Sequence, residues 1–418
     1  MNIYFSGIGG VGVGPLAEIA RDAGHTVSGS DKSPSLVTQE LEEQQVLINF
    51  NQDGNFLKVQ HEKAPVDWFV YTAALPQDHP ELVLARELGI RTGKRDEFLA
   101  DFITEHNLKL IAISGTHGKT TTTGMAVWAL KQLDIPVSYS IGTTVSFGSS
   151  GAYDPDSEYF VYECDEFDKN FLHFTPHLSL LTSIDYDHPD TYPTEKDYVD
   201  AFQTFIAQSA HTIAWSNDLS YLKQVANEKI WSLEAAEVTS LELPGEHNRR
   251  NATLVIKALE YLSIGTADER TAALSSFPGT DRRFEKLADN LYSDYGHHPV
   301  EIAATLQLAR ELSDNVVLVY QPHQNVRQHE IRDQYTDQFE RARDTYWLPT
   351  YLSREDPTLA ILEPNDLIKN ITNKDTVHVA EFNDELWSAV QAHRDAGHLV
   401  LFMGAGAIDG WVRQQLAN

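Results

Sequence analysis

The sequence predicts a three-domain α/β protein: a Rossmann-like N-terminal domain, a central P-loop ATPase-type parallel sheet and a Rossmann-like C-terminal domain. Three stretches carry this prediction. Residues 2–12 join an apolar strand to Gly7-x-Gly9-x-x-Gly12, residues 109–124 read KLIAISGTHGKTTTTG, and residues 398–408, HLVLFMGAGAI, join another apolar strand to Gly404 and Gly406. In each, a short apolar run meets glycines just before a helical stretch, as where a parallel strand feeds a helix N-terminus. The 418 residues exceed one ordinary core and suggest about three domains, which we place at residues 1–108, 109–280 and 281–418.

The first domain opens with the strand NIYFSGI, a helix to Ala23 and the strand TVSGSD, which ends at Asp31. Glycines let backbone approach a phosphate, and an acidic residue about 20 positions on suits a ribose hydroxyl. The pattern shows that a phosphate can come close and does not say whose it is. Helical SLVTQELEEQQ, the strand DWFVYTAA and the helices HPELVLARELG and RDEFLADFITEH complete the αβ series.

In the second domain Leu110 to Ser114 read as a buried strand. Gly115-Thr116-His117-Gly118-Lys119-Thr120 then turns into a helix beginning near Thr121. Backbone N–H groups close round an anion there, the helix dipole adds positive potential, and a lysine reaches terminal phosphates. Thr120 stands where a hydroxyl meets the Mg²⁺ that travels with a nucleotide. Ile113 replaces the first glycine of the commonest P-loop, yet strand, Gly-x-x-Gly-Lys-Thr and helix together point to ATP. Lys119 reads as a ligand-facing side chain with little packing role, so its loss should leave stability nearly unchanged.

Two more apolar strands, Tyr159 to Tyr162 and Leu178 to Ile184, end in acidic residues. Glu163 and Asp165 finish the first; Asp185, Asp187 and His188 finish the second. The carboxyl ends of strands line the ligand crevice of an open α/β sheet, and carboxylates are ligands that Mg²⁺ prefers. The bland alternative is a solvated acidic loop. Farther on, PGEHNRRNATLVIKALEYL is a turn into a helix with Asn248 near its start, placed to cap the helix or to meet a ligand.

The third domain starts with Asp281-Arg282-Arg283-Phe284 and contains LYSDYGHHP, the helix VEIAATLQLARELS and the strand NVVLVYQPH. His297 and His298 are adjacent and precede Pro299, an arrangement that rarely turns both rings to one site.

Composition narrows the function. A formal charge of −29 argues against a nucleic-acid partner, which demands a basic face. The single cysteine, Cys164, fits a reducing cytoplasm and excludes an internal disulfide. Apolar runs are too short to insert in a membrane, and residues 2–6 read as a folded strand, not a leader.

The ordered set GIGGVG, SGTHGKTTTT, ECDE, IDYDHPD, PGEHN, RRFE, DYGHHP, QPH and GAGAI resembles the Mur ligases over essentially the whole chain. The resemblance implies an ATP-dependent amide ligase of peptidoglycan precursor synthesis. It implies ATP and two Mg²⁺ ions as cofactors, UDP-N-acetylmuramate and L-alanine as substrates, an acyl phosphate intermediate, and a cytoplasmic monomer or homodimer. The first domain would hold the UDP-sugar, the second ATP and Mg²⁺, and the third would bring the amino acid and close the site.

Carried over motif by motif, Gly9, Gly10, Val11, Gly12, Ser30, Asp31, Thr72 and Ala73 would meet the UDP-sugar. Gly115, Thr116, His117, Gly118, Lys119, Thr120 and Thr121 would cradle ATP, with Thr120, Glu163 and His188 on metal. Asn248 would touch adenine, Arg283 the transferring phosphate and Asp294 the ribose. Tyr295, His297 and His298 would lie near the reacting carboxylate and amine. The catalytic set would be Lys119, His188, Arg283 and His298.

Alanine-adding members of the family usually follow QPH with arginine; here Gln324 stands there, which leaves Arg327 as the candidate for the amino-acid carboxylate. Some relatives carry a carbamylated lysine after the DH motif, a role we do not give Lys196. Three other readings remain: a ligase attaching a preformed murein tripeptide to the same sugar, a P-loop regulatory module that binds nucleotide and partners without ligating anything, and an NAD-dependent oxidoreductase resting on GxGxxG and Asp31. The last leaves the Gly-Lys-Thr cradle unexplained.

Overall fold

The structure, a computed structural model, describes residues 1–72, 75–188, 191–353 and 355–417. Met1–Thr239 with Asn251–Pro278 form one compact unit, and Ser240–Arg250 with Gly279–Asn418 a second. The three-domain α/β class predicted above is found as three helix-flanked sheets, two in the first unit and one in the second.

The N-terminal sheet is all parallel, in the order Leu47–Asn49, Thr26–Ser30, Asn2–Ser6, Trp68–Tyr71, Arg91–Lys94. Strand order reverses between Asn2–Ser6 and Trp68–Tyr71, which opens a crevice at their carboxyl ends. Gly7 and Thr72 meet there: Gly7 has φ +84°, and a Cβ on it would stand 3.1 Å from Thr72 Cγ2. Beneath the crevice the buried Glu81 carboxylate accepts from the hydroxyls of Tyr4 (2.6 Å), Ser6 (2.7 Å) and Ser30 (2.7 Å), which satisfies a charge held away from water.

The central sheet runs Ile230–Leu233, Thr212–Trp215, Leu178–Leu181, Lys109–Ser114, Tyr159–Glu163, Val137–Ser140, Gly151–Ala152, and only the last pair is antiparallel. The strand before the cradle therefore lies between the two strands that end in acidic residues. The helix Glu195–Gln208, boxed by Thr194 and Asp197, buries Tyr198, Val199, Ala201, Phe202, Phe205 and Ile206 at helical spacing against this layer.

In the second unit the sheet order is Glu285–Ala288, Leu291–Asp294, Leu399–Met403, Val316–Tyr320, Asp344–Trp347, Val377–Val379. Glu285–Ala288 alone is antiparallel. Val316–Tyr320 is buried at every residue, as expected of a central parallel strand covered on both faces. Among the described residues no helix is long and apolar enough to cross a membrane.

Candidate active site

Two glycines shape the phosphate cradle. Strand Lys109–Ser114 ends at Gly115 (φ +133°), and Gly118 (φ +84°) caps a helix that starts at Lys119, two residues earlier than the sequence suggests. A Cβ at Gly115 would stand 2.5 Å from Thr182 Oγ1, and one at Gly118 3.0 Å from the Asn251 amide. Left-handed backbone and lack of space both require glycine. The neighbouring strand end laces the loop. Thr116 N–H donates to Ser183 O at 2.8 Å, His117 N–H donates to Ser183 Oγ at 3.2 Å, and the Thr116 hydroxyl donates to Asp185 O at 2.7 Å. Lys119, Thr120 and Thr121 form the first helical turn, whose N–H groups have no intrahelical partner and so point to an anion.

Lys119 Nζ turns back on this loop. It donates to Gly115 O at 2.6 Å and to both oxygens of Glu166, at 2.8 and 3.1 Å, with Asp165 3.9 Å away. Burial alone would lower the Lys119 ammonium, but Glu166 and Asp165 outweigh it and hold it above its ordinary value. Glu166 is fully buried, and burial pushes its carboxyl up against the pull of Lys119.

The acidic strand ends form two groups. Thr120 Oγ1 donates to Glu163 Oε1 at 3.0 Å, and Glu163 Oε2 accepts from Gly142 N–H at 3.1 Å. His188, with φ +57°, has Nε2 3.8 Å from Glu166 and 3.7 Å from Asp187. Ligand atoms of Asp165, Glu166 and His188 all lie within 4.8 Å of one another. Both groups offer the carboxylate oxygens that Mg²⁺ favours. Glu166 is not among the residues the sequence singles out. It lies in an acidic run after a strand, where no local period marks a buried residue. Lys196 is largely exposed and ion-pairs with Asp200 at 2.5 Å.

At the glycine loop of the N-terminal sheet, Gly9 N–H donates to Asp31 Oδ2 at 2.7 Å, so Asp31 braces the loop itself. Gly10 N–H bonds to Gly7 O at 3.1 Å, and Val11 is exposed. Ser30, a candidate sugar contact by sequence, is fully buried with its hydroxyl on Glu81. Ala73 lies outside the described residues.

In the second unit, Arg282 and Phe284 both have positive φ (58° and 50°), and the turn is pinned by Asp294, which accepts from Phe284 N–H at 2.8 Å and Gly296 N–H at 2.7 Å. Burial raises the Asp294 carboxyl. Arg283 reaches Glu301 at 3.8 Å and lies over the Tyr295 ring at 5.3 Å. The adjacent histidines part company. His298 caps the helix Pro299–Leu312, whereas His297 bonds through Nε2 to Arg327. Burial, first of all, drives His297 down to about 3, so it is a neutral acceptor. Arg327 gets there because Gln324 (φ +61°) caps a short helix, Asn325–Ile331. Asn248 donates to Pro244 O at 3.0 Å at the start of its helix.

"Mur ligase family, catalytic domain" matches residues 2–107, "Mur ligase middle domain" 113–233 and "Mur ligase, glutamate ligase domain" 282–406. The UDP-N-acetylmuramate–L-alanine ligase of Gloeobacter violaceus is 30% identical over 440 residues, covering 97% of this chain and 93% of that relative. The chain belongs to the Mur ligase family. The ligase of the same name from Dinoroseobacter shibae is 31% identical, over 98% of this Mur ligase and 95% of its own length. Among solved structures, the UDP-N-acetylmuramate–alanine ligase of Thermotoga maritima shares the fold with a TM-score of 0.80 at 24% identity, covering 100% of this chain and 98% of that one. A murein peptide ligase from Psychrobacter arcticus gives 0.66 at 25% identity, with 100% and 98% covered. As a Mur ligase the protein is an ATP-dependent enzyme that forms an amide bond.

Proposed function

We propose that this Mur ligase joins L-alanine to the carboxylate of UDP-N-acetylmuramate at the expense of ATP, in cytoplasmic peptidoglycan precursor synthesis. The observation that carries the reading is the cradle with Lys119 flanked by two carboxylate groups, in a chain whose curated relatives of similar length are named for this reaction. Residues 1–108 would hold the UDP-sugar, 109–280 ATP with two Mg²⁺ ions, and 281–418 the amino acid.

The chemistry brings the sugar carboxylate against the γ-phosphate, two anions that repel. Mg²⁺, when bound, supplies charge against that repulsion; Thr120 with Glu163 would hold one ion, and His188 with Asp165 and Glu166 the other. Lys119 and the first-turn amides orient the phosphates, and Arg283 neutralises the phosphoryl group as it moves. The carboxylate oxygen attacks the γ-phosphorus and ADP leaves as the P–O bond to it breaks; the neutral amine then attacks the carbonyl carbon of the acyl phosphate, forming the C–N bond and giving up a proton, and inorganic phosphate leaves as the C–O bond breaks. Arg327 would pair with the amino-acid carboxylate, held in place by neutral His297, while His298 fixes the helix start beside it. Asn248 and Asp294 would face the adenine and ribose, Asp294 chiefly by shaping the turn at Phe284.

Thermal unfolding tests this reading against an NAD enzyme, because a ligand that binds only the folded state raises the melting temperature with its concentration. UDP-N-acetylmuramate should raise it and NADH should not. A shift with NADH alone would overturn the proposal.

A further inference from the structure

Arg95 opens the helix Arg95–Glu105 and belongs to none of the residue sets above. One edge of its guanidinium stands flush with the glycine loop, where a Cβ on Gly12 would overlap Nη1. The other edge faces the acidic loop of the ATP site: Nη2 lies 4.0 Å from Asp165, and the preceding residue, Lys94, pairs with Asp168 at 2.7 Å. Only 21% of the Arg95 side chain is exposed, yet among the described contacts its one hydrogen bond is a long one, 3.4 Å from Nε to Asp96. A mostly desolvated guanidinium with open donors suits bidentate capture of an anion.

The glycine loop needs such a donor. Gly7 and Ile8 amides donate to Ser30 O, Gly9 to the Asp31 carboxylate, Gly10 to Gly7 O, and Val13 and Gly14 to Gly10 O. Asp31 also sets a negative charge in the loop. A diphosphate arriving there meets the amides of Val11 and Gly12 and, beside them, Arg95.

We infer that Arg95 couples the two ligand sites of this unit. In the structure it stands against Asp165. With a diphosphate in the loop it turns its open donors to phosphate oxygens and frees the Asp165 charge for the cation that accompanies ATP. The inference rests on the sugar-nucleotide reading above. Coupling of this kind is reciprocal, so each ligand tightens the other by the same factor.

Calorimetric titration tests it, with a non-hydrolysable ATP analogue and Mg²⁺ added in the presence and absence of saturating UDP-N-acetylmuramate. In the wild type the sugar nucleotide should tighten the analogue about tenfold. In Arg95→Gln the UDP-sugar should bind about tenfold more weakly or worse, and the coupling factor should fall to ~1. Arg95→Lys, which keeps the charge without the fork and guards against a Gln variant that fails to fold, should show an intermediate factor. Unchanged coupling in both variants overturns the inference, even if both ligands weaken together, because that marks a merely structural arginine. A wild type that binds no UDP-N-acetylmuramate overturns the functional reading itself, a result distinct from lost coupling.

Discussion

Lys119 is held in the cradle by Glu166 and the Gly115 carbonyl, with 13% of its side chain exposed. Its loss would strand the fully buried Glu166 without a cation, so the sequence-based expectation of unchanged stability gives way. Lys119→Ala should lower stability by about 3 kcal/mol in urea unfolding, the range for breaking a buried pair from one side. Adding Glu166→Gln should restore most of it, while phosphate release stays low in both. Full stability in the single variant would show that Glu166 is content alone. Arg327→Ala should raise the Michaelis constant for L-alanine roughly tenfold to a hundredfold and leave that for ATP nearly unchanged, as loss of a charge-assisted hydrogen bond requires. Equal effects on both constants would remove Arg327 from the amino-acid site. The residues legible in the sequence were those whose role follows from local geometry, such as Gly115, Gly118 and Lys119 between a strand and a helix. The hydrogen-bond partners of Glu166, Ser30 and Asp294 were not, because they come from elsewhere in the chain: Lys119, Glu81 and the Phe284 amide.

At the scale of elements, parallel topology made the site readable: Tyr159–Glu163 and Leu178–Leu181 flank the cradle strand, so their carboxyl ends converge. Short strands such as Val137–Ser140 and, at the sheet edge, Gly151–Ala152 are not legible in the sequence because two to four residues show no period. One contact between elements carries a pH dependence. Glu18, on the helix Gly14–Asp22, is 2% exposed and accepts from Gly151 N–H at 2.7 Å. Burial pushes its carboxyl up to about 7 from an ordinary 4.5. Between these values the folded chain holds a proton the unfolded chain has lost, so stability falls as pH rises, in total on the order of 3 kcal/mol. Glu18→Gln keeps an acceptor for Gly151 and removes the charge. It should melt higher than the wild type at ~pH 8 and show a flatter profile down to ~pH 5. A profile identical to the wild type would place the pH dependence elsewhere.

For the whole molecule, the structure sets two α/β sheets in one compact unit and a third in another. The sequence motifs, taken in order along the chain, pointed to the Mur ligase family and its α/β fold better than any single motif did. GxGxxG with Asp31 taken alone suggests NAD. The Asp31 carboxylate accepts from Gly9 N–H and so shapes the loop as well. The most direct measurement is phosphate release coupled to product formation with UDP-N-acetylmuramate, ATP and Mg²⁺, run with L-alanine, a panel of other amino acids and the murein tripeptide as acceptors. L-alanine is predicted to support release that needs the UDP-sugar, with the tripeptide far behind. Release with the tripeptide and none with L-alanine, or release indifferent to the UDP-sugar, would contradict it.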